Sequence, residues 1–143
     1  MKAQSIIYND RESQKEFHEA LLSVHHMLPP EDLREILESY EITPSQIIEV
    51  IRFLLHYSYL VQVLLDALPK LKEVFGEFQV YLELERDPDE NFEELFGVIK
   101  VNATPEKALA LLTRFDKVWF TQIQWRTLGK FNFTVETTND ESV

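Results

Sequence analysis

Phe78-Gln79-Val80-Tyr81-Leu82-Glu83-Leu84-Glu85 is where the chain changes character. Before it, apolar residues recur every three or four positions. Within it, Val80, Leu82 and Leu84 alternate with Tyr81, Glu83 and Glu85. Alternation of period two predicts a strand with one face buried and one wet. Leu95 to Val101 is a nearly continuous apolar run and predicts a second, central strand. Asp87-Pro88-Asp89-Glu90-Asn91 between them has turn composition. Strand, acidic turn and strand make the switch from a helical half to a sheet half.

Upstream, Phe17, Leu21, Val24 and Leu28 lie on one face of a helix predicted over Asp10 to Leu28. Pro29-Pro30 ends it, and Pro30 suits the first turn of a second helix carrying Leu33, Ile36, Leu37 and Tyr40. Thr43-Pro44-Ser45-Gln46 has the form of a capping box opening a third helix that runs to about Leu68. Its polar residues change face midway, which predicts either a kink near Tyr57-Ser58 or different burial at its two ends. Pro69 is expected to kink or break it, and Gly76 to end the helical half.

Downstream, Thr104-Pro105-Glu106 opens a helix whose core side is Ala108, Leu111, Leu112 and Phe115. Trp119, Ile123 and Trp125 alternate with polar neighbours as a candidate third strand, although its start also fits the end of that helix. Gly129 marks a turn, and Phe131, Phe133 and Val135 form a final strand with a frayed tail after it. The fold class is α+β: an N-terminal three-helix part, then a small ββα(β)β sheet with helices on one face. One domain is expected over residues 1–143, helical over about 10–76 and strand-and-helix over about 77–137, with a tail at 138–143.

Composition narrows the chemistry. The 143 residues are 45% apolar and include ten Phe, enough for a real core. There is no Cys, so disulfides, thiolate catalysis and Cys-ligated metals are excluded. The only glycines are Gly76, Gly97 and Gly129, which excludes a Walker A loop, a Rossmann fingerprint and a G-x-S-x-G elbow. Residues 1–10 lack the apolar core of a secretory signal, so a cytoplasmic location is expected. Ile47 to Leu68 is apolar but interrupted by Glu49, Arg52 and Asp66, and is read as a buried helix rather than a membrane span.

The net charge is −11. Residues 1–75 carry 7 basic and 12 acidic residues, and residues 76–143 carry 7 and 13, so both halves are acidic. Such a surface repels nucleic acid and anionic lipid, keeps the chain soluble and favours basic partners.

The densest charge run is Glu83 to Glu94. Asp87-x-Asp89-x-Asn91 opens like an EF-hand loop, but Phe92 stands where the turn needs Gly and Val98 where a bidentate Glu is required. His18, His25, His26 and His56 do not form an H-E-x-x-H motif. No metal and no cofactor is expected. Leu33 to Val50 has the apolar spacing of a helix-turn-helix, with Glu41 at the turn position usually held by Gly. The second helix offers Gln46, Glu49 and Arg52, too little cation for phosphate contacts. Trp119, Phe120, Trp125, Phe131 and Phe133 are read as mostly core, with Phe120 or a strand edge as a candidate self-association surface for a homodimer.

Leu82-Glu83-Leu84-Glu85-Arg86-Asp87-Pro88, Glu93-Glu94-Leu95-Phe96-Gly97, Thr104-Pro105-Glu106 and Phe115-Asp116-Lys117-Val118-Trp119 together resemble a pattern of short uncharacterised prokaryotic proteins. The likeness covers about residues 80–120. It implies a prokaryotic origin and the strand, loop, strand, helix order, and brings no activity with it.

The function read from the sequence is a non-enzymatic acidic interaction module, antitoxin-like or inhibitor-like, that docks a basic protein through Asp87, Asp89, Glu90, Glu93 and Glu94. No catalytic residue is assigned. Two alternatives stay open: a helix-turn-helix-like DNA-binding regulator using Thr43 to Arg52, and a metal-assisted enzyme using the acidic loop 87–94.

Overall fold

The computed structural model describes residues 30–138. The helix expected over Asp10 to Leu28, with His18, His25 and His26, lies outside them. Helix α1 (Pro30–Ser39) begins at the predicted proline. A two-residue strand β1 (Glu41–Ile42) follows, then a 3-10 turn over Pro44–Gln46, α2 (Ile47–His56) and α3 (Tyr59–Phe75). Strands β2 (Gln79–Asp87) and β3 (Phe92–Val101) form a hairpin. Helix α4 (Pro105–Phe115) continues through a π-helical turn (Asp116–Phe120), the short α5 (Thr121–Ile123) and a 3-10 turn (Gln124–Thr127) to β4 (Phe131–Thr137). The protein is α+β, with helices and a four-stranded mixed sheet.

The sheet order is β1-β2-β3-β4. β2 and β3 are antiparallel, whereas β1 runs parallel to β2 and β4 parallel to β3. Parallel neighbours need a crossover, and helices supply both: α2 and α3 link β1 to β2, and the α4 region links β3 to β4. Register places Val80, Leu82, Leu84, Leu95, Ile99, Phe131 and Phe133 on one face. All seven are buried in a core shared with Ile36, Ile51, Leu64 and Leu71 of the helices. At the top of this core the Tyr40 hydroxyl donates to the Leu64 carbonyl at 2.6 Å, fixing the end of α1 to α3.

Several expectations need correction. The third helix is two helices meeting at a 110° bend at Tyr57–Ser58, one of the two outcomes its polar pattern allowed. Pro69 does not break α3, which runs on to Phe75 and stops at Gly76, whose φ is 71°. Pro69 is exposed, and it lacks the N–H that would reach the Leu65 carbonyl four residues earlier. The Thr43–Gln46 capping box is not made: Thr43 has no side-chain cap bond, and Gln46 is drawn instead to the backbone of Leu84. Glu41, the supposed helix-turn-helix turn residue, is strand, so a rung of the sheet separates α1 from α2.

The candidate strand at 119–125 is helical. A π-turn advances about five residues, which puts Phe115 and Phe120 on the same side. Both are buried and their rings stack with centroids 6.4 Å apart. Phe120 is therefore core and offers no self-association surface, while Trp125, read as core, is 74% exposed. α4 opens at Thr104-Pro105-Glu106 as predicted, with Thr104 as its cap, the hydroxyl accepting from the Lys107 N–H. β4 ends at Thr137, the last residue before the expected tail. Among the described residues no single helix is long and apolar enough to cross a membrane.

Candidate functional site

The acidic run forms the tip of the β2–β3 hairpin. Asp87 and Phe92 are the closing pair, and Pro88 to Asn91 make the loop. Asp87 shapes it from both of its carbonyl groups. Its Oδ1 accepts from the Asp89 N–H at 3.1 Å, and its backbone oxygen from the Glu90 N–H at 3.2 Å. Asn91 completes the reversal at φ 52°, a left-handed conformation that Asn tolerates better than most residues.

Register then separates the five predicted docking residues. Asp89 and Glu90 are exposed at the tip, whereas Asp87 holds the turn. Glu93 lies opposite Arg86 and accepts from its Nε at 2.5 Å. Arg86 reaches Glu49 of α2 as well, at 3.4 Å, so this carboxylate pair anchors the hairpin to the helices. Glu94, one residue on, belongs to the other face, where it lies directly opposite Glu85. The five residues are thus not one convergent cluster.

That other face is predominantly acidic. Glu41, Glu83, Glu85 and Glu94 share it by register with Tyr81, Phe96 and Val98. Lys100 is on it too, but is paired with Glu136 and lies 5.2 Å from the Tyr81 ring. The hydrogen bond that Lys100 donates to Glu136 raises the Lys100 pKa, partial desolvation opposes this, and the charges of Glu136 and Glu83 add to the rise. Partial desolvation pushes the Glu94 carboxyl up, and the nearby Lys130 offsets this in part.

A cleft of about 490 Å³ opens where the hairpin meets the bend between α2 and α3. Tyr57, Arg86, Asp87, Phe92, Glu93 and Lys130 contribute to its lining. The Lys130 ammonium lies 5.1 Å from the centroid of the Tyr57 ring. Tyr57 and Lys130 were not legible as site residues. They lie far from the hairpin in sequence, and only the bend after α2 and the start of β4 bring them beside it.

Among the described residues no group of three or more His, Asp or Glu is placed to hold a metal ion. Compared with family models, curated protein sequences and solved structures, the chain matches none.

Proposed function

We propose that this chain is a non-enzymatic acidic interaction module, antitoxin-like or inhibitor-like in kind, that docks a basic protein partner in the cytoplasm. The observation that carries the reading is the Glu85–Glu94 pair. Like charges directly opposite on a sheet oppose folding. Here Glu83 is the next residue on that face of β2, Glu41 lies beyond it opposite Tyr81, and the acidic run goes on to Asp89 and Glu90 at the tip. A cationic partner relieves that repulsion when it binds, so the cost carried by the free protein becomes affinity in the complex. Asp89, Glu90, Glu85 and Glu94 are the contact residues in this reading. Asp87 shapes the loop, and Glu93 positions Arg86.

The test is binding of co-purified partner before and after reversal of Asp89, Glu90 and Glu94 to Lys. Expected is loss of binding in the triple variant, and for the wild-type chain a weakening from low salt to about 0.15 M, where the Debye length is about 8 Å. Affinity that is indifferent to both the substitutions and the salt overturns the proposal.

A further inference from the structure

We propose that the outer edge of β4 pairs with the same edge of a second copy of this chain, joining two sheets into one across a two-fold axis. The hydrogen bonds fix which backbone groups face out. The Leu95 N–H donates to the Lys130 carbonyl and the Thr138 N–H to the Val101 carbonyl, so the even-numbered residues of β4 turn their backbone toward β3. Alternate residues of a parallel ladder turn theirs away, which leaves Phe131, Phe133 and Val135 facing outward. The Phe133 N–H is taken by Oδ1 of Asn132 at 2.9 Å, a stopgap from the neighbouring side chain. Among the described residues nothing answers the Phe133 carbonyl or either backbone group of Val135. The opposite edge of the sheet is covered by β1 and Gln46 along β2. An open edge strand is a template for another strand.

Charge and register decide the occupant. A two-fold axis makes the two strands antiparallel and their surfaces identical. Outward-facing residues must meet outward-facing residues for their bonds to form, so the axis passes between one residue and its own copy. Centred on Phe133, the pairing sets Lys130 opposite Glu136 of the second copy, twice over by symmetry. No other centre on the strand brings those charges together, and one on Glu136 sets like charges face to face. The same register keeps the faces matched, with Phe131 opposite Val135 on the core side and Asn132 opposite Thr134 on the other. Glu136 already bonds Lys100 and Lys130 lies over Tyr57, each within its own chain. A carboxylate and an ammonium both have sites left for a second contact. In the dimer the Phe133 N–H leaves Asn132 for the Phe133 carbonyl of the second copy.

Sedimentation equilibrium of the full chain across a concentration series tests this, with amide exchange at Val135 read in parallel. Expected is a monomer–dimer equilibrium in which protection of Val135 rises with concentration. Lys130→Glu and Glu136→Lys should each weaken the dimer about ten-fold, and the two together should restore it. Glu136→Lys does so although it lessens the repulsion between two acidic chains, which sets the local pairing apart from overall charge. Val135→Pro removes an outward N–H that the ladder with β3 does not use, so it should abolish the dimer and leave the monomer folded. Matched thermal melts check the fold. A chain that stays monomeric overturns the proposal, as does a dimer that survives Val135→Pro with the fold intact. Loss in both single variants without recovery in the double overturns the two-fold register. Val135 protected equally at every concentration shows that another segment of the chain closes the edge, and overturns the proposal too.

Discussion

The side-chain amide of Gln46 pairs with the backbone of Leu84 as a neighbouring strand would. Its Nε2 donates to the Leu84 carbonyl and its Oε1 accepts from the Leu84 N–H, each at 3.0 Å. β1 covers the outer edge of β2 only at Tyr81 and Leu82. Gln46 closes the next position, so a two-residue strand and one amide together protect an edge that would otherwise be open to pairing. The same side chain fixes the start of α2 to the sheet.

Gln46→Ala is expected to destabilise the protein by about 1–3 kcal/mol, since both polar groups of a partly buried residue lose their partner. Gln46→Glu should not rescue it, because a carboxylate satisfies the N–H but faces the carbonyl with a second acceptor. Urea denaturation gives the energy, and amide exchange at Leu84 locates it. Protection of Leu84 that is indifferent to these substitutions would show that another group closes the edge.

Gly97 is needed for space. A Cβ there would meet Cδ1 and Cε1 of Phe133 at 2.8 Å and Cζ of Phe131 at 3.1 Å. Phe133 cannot swing away, as its ring packs edge-on against Phe115, Phe120 and Phe131. Gly97→Ala should cost about 1–3 kcal/mol. Adding Phe133→Leu should lower the cost of the alanine, and a double-mutant cycle read by thermal denaturation measures that coupling.

Tyr40 is 2% exposed, and burial raises its phenol pKa far above the ordinary 10.0. The unfolded chain releases this proton first as pH rises, so the contribution of Tyr40 to stability is intact below pH 10.0 and declines above it. Tyr40→Phe should cost about 1 kcal/mol near neutral pH through the bond to Leu64. It should also flatten the alkaline fall in stability, which denaturation at stepped pH will read.

Glu94 works in the opposite region. Its folded pKa is raised above 4.5, so the folded state holds this proton more tightly than the unfolded chain does. Stability from this group is greatest below 4.5 and falls as pH rises through the folded value. Glu94→Gln should therefore raise the melting temperature at neutral pH more than in acid, by an amount equivalent to less than about 1 kcal/mol at so exposed a site. An equal shift at both pH values would remove the desolvation account.

Glu94 also shows the limit of a linear reading. The composition Asp87 to Glu94 marked an acidic hairpin correctly, but adjacent strand residues point to opposite faces. Glu93 and Glu94 consequently meet different partners, Arg86 and Glu85. Tyr57 and Lys130 carried no local signal at all, because nothing in their own neighbourhoods refers to the hairpin.

What the sequence by itself determined is whatever depends on local periodicity and end chemistry. The alternation through Val80, Leu82 and Leu84, the start of α1 at Pro30, the Thr104 cap of α4 and the stop at Gly76 all follow from residues within a turn of one another. Only the tertiary structure decided the π-turn that buries Phe120, the passage of α3 through Pro69, and the choice of Gln46 between capping its own helix and closing the edge at Leu84. In each of these a distant packing contact or an open backbone group outweighed a local preference, about 1 kcal/mol for a helix cap and about 3 kcal/mol for a proline inside a helix.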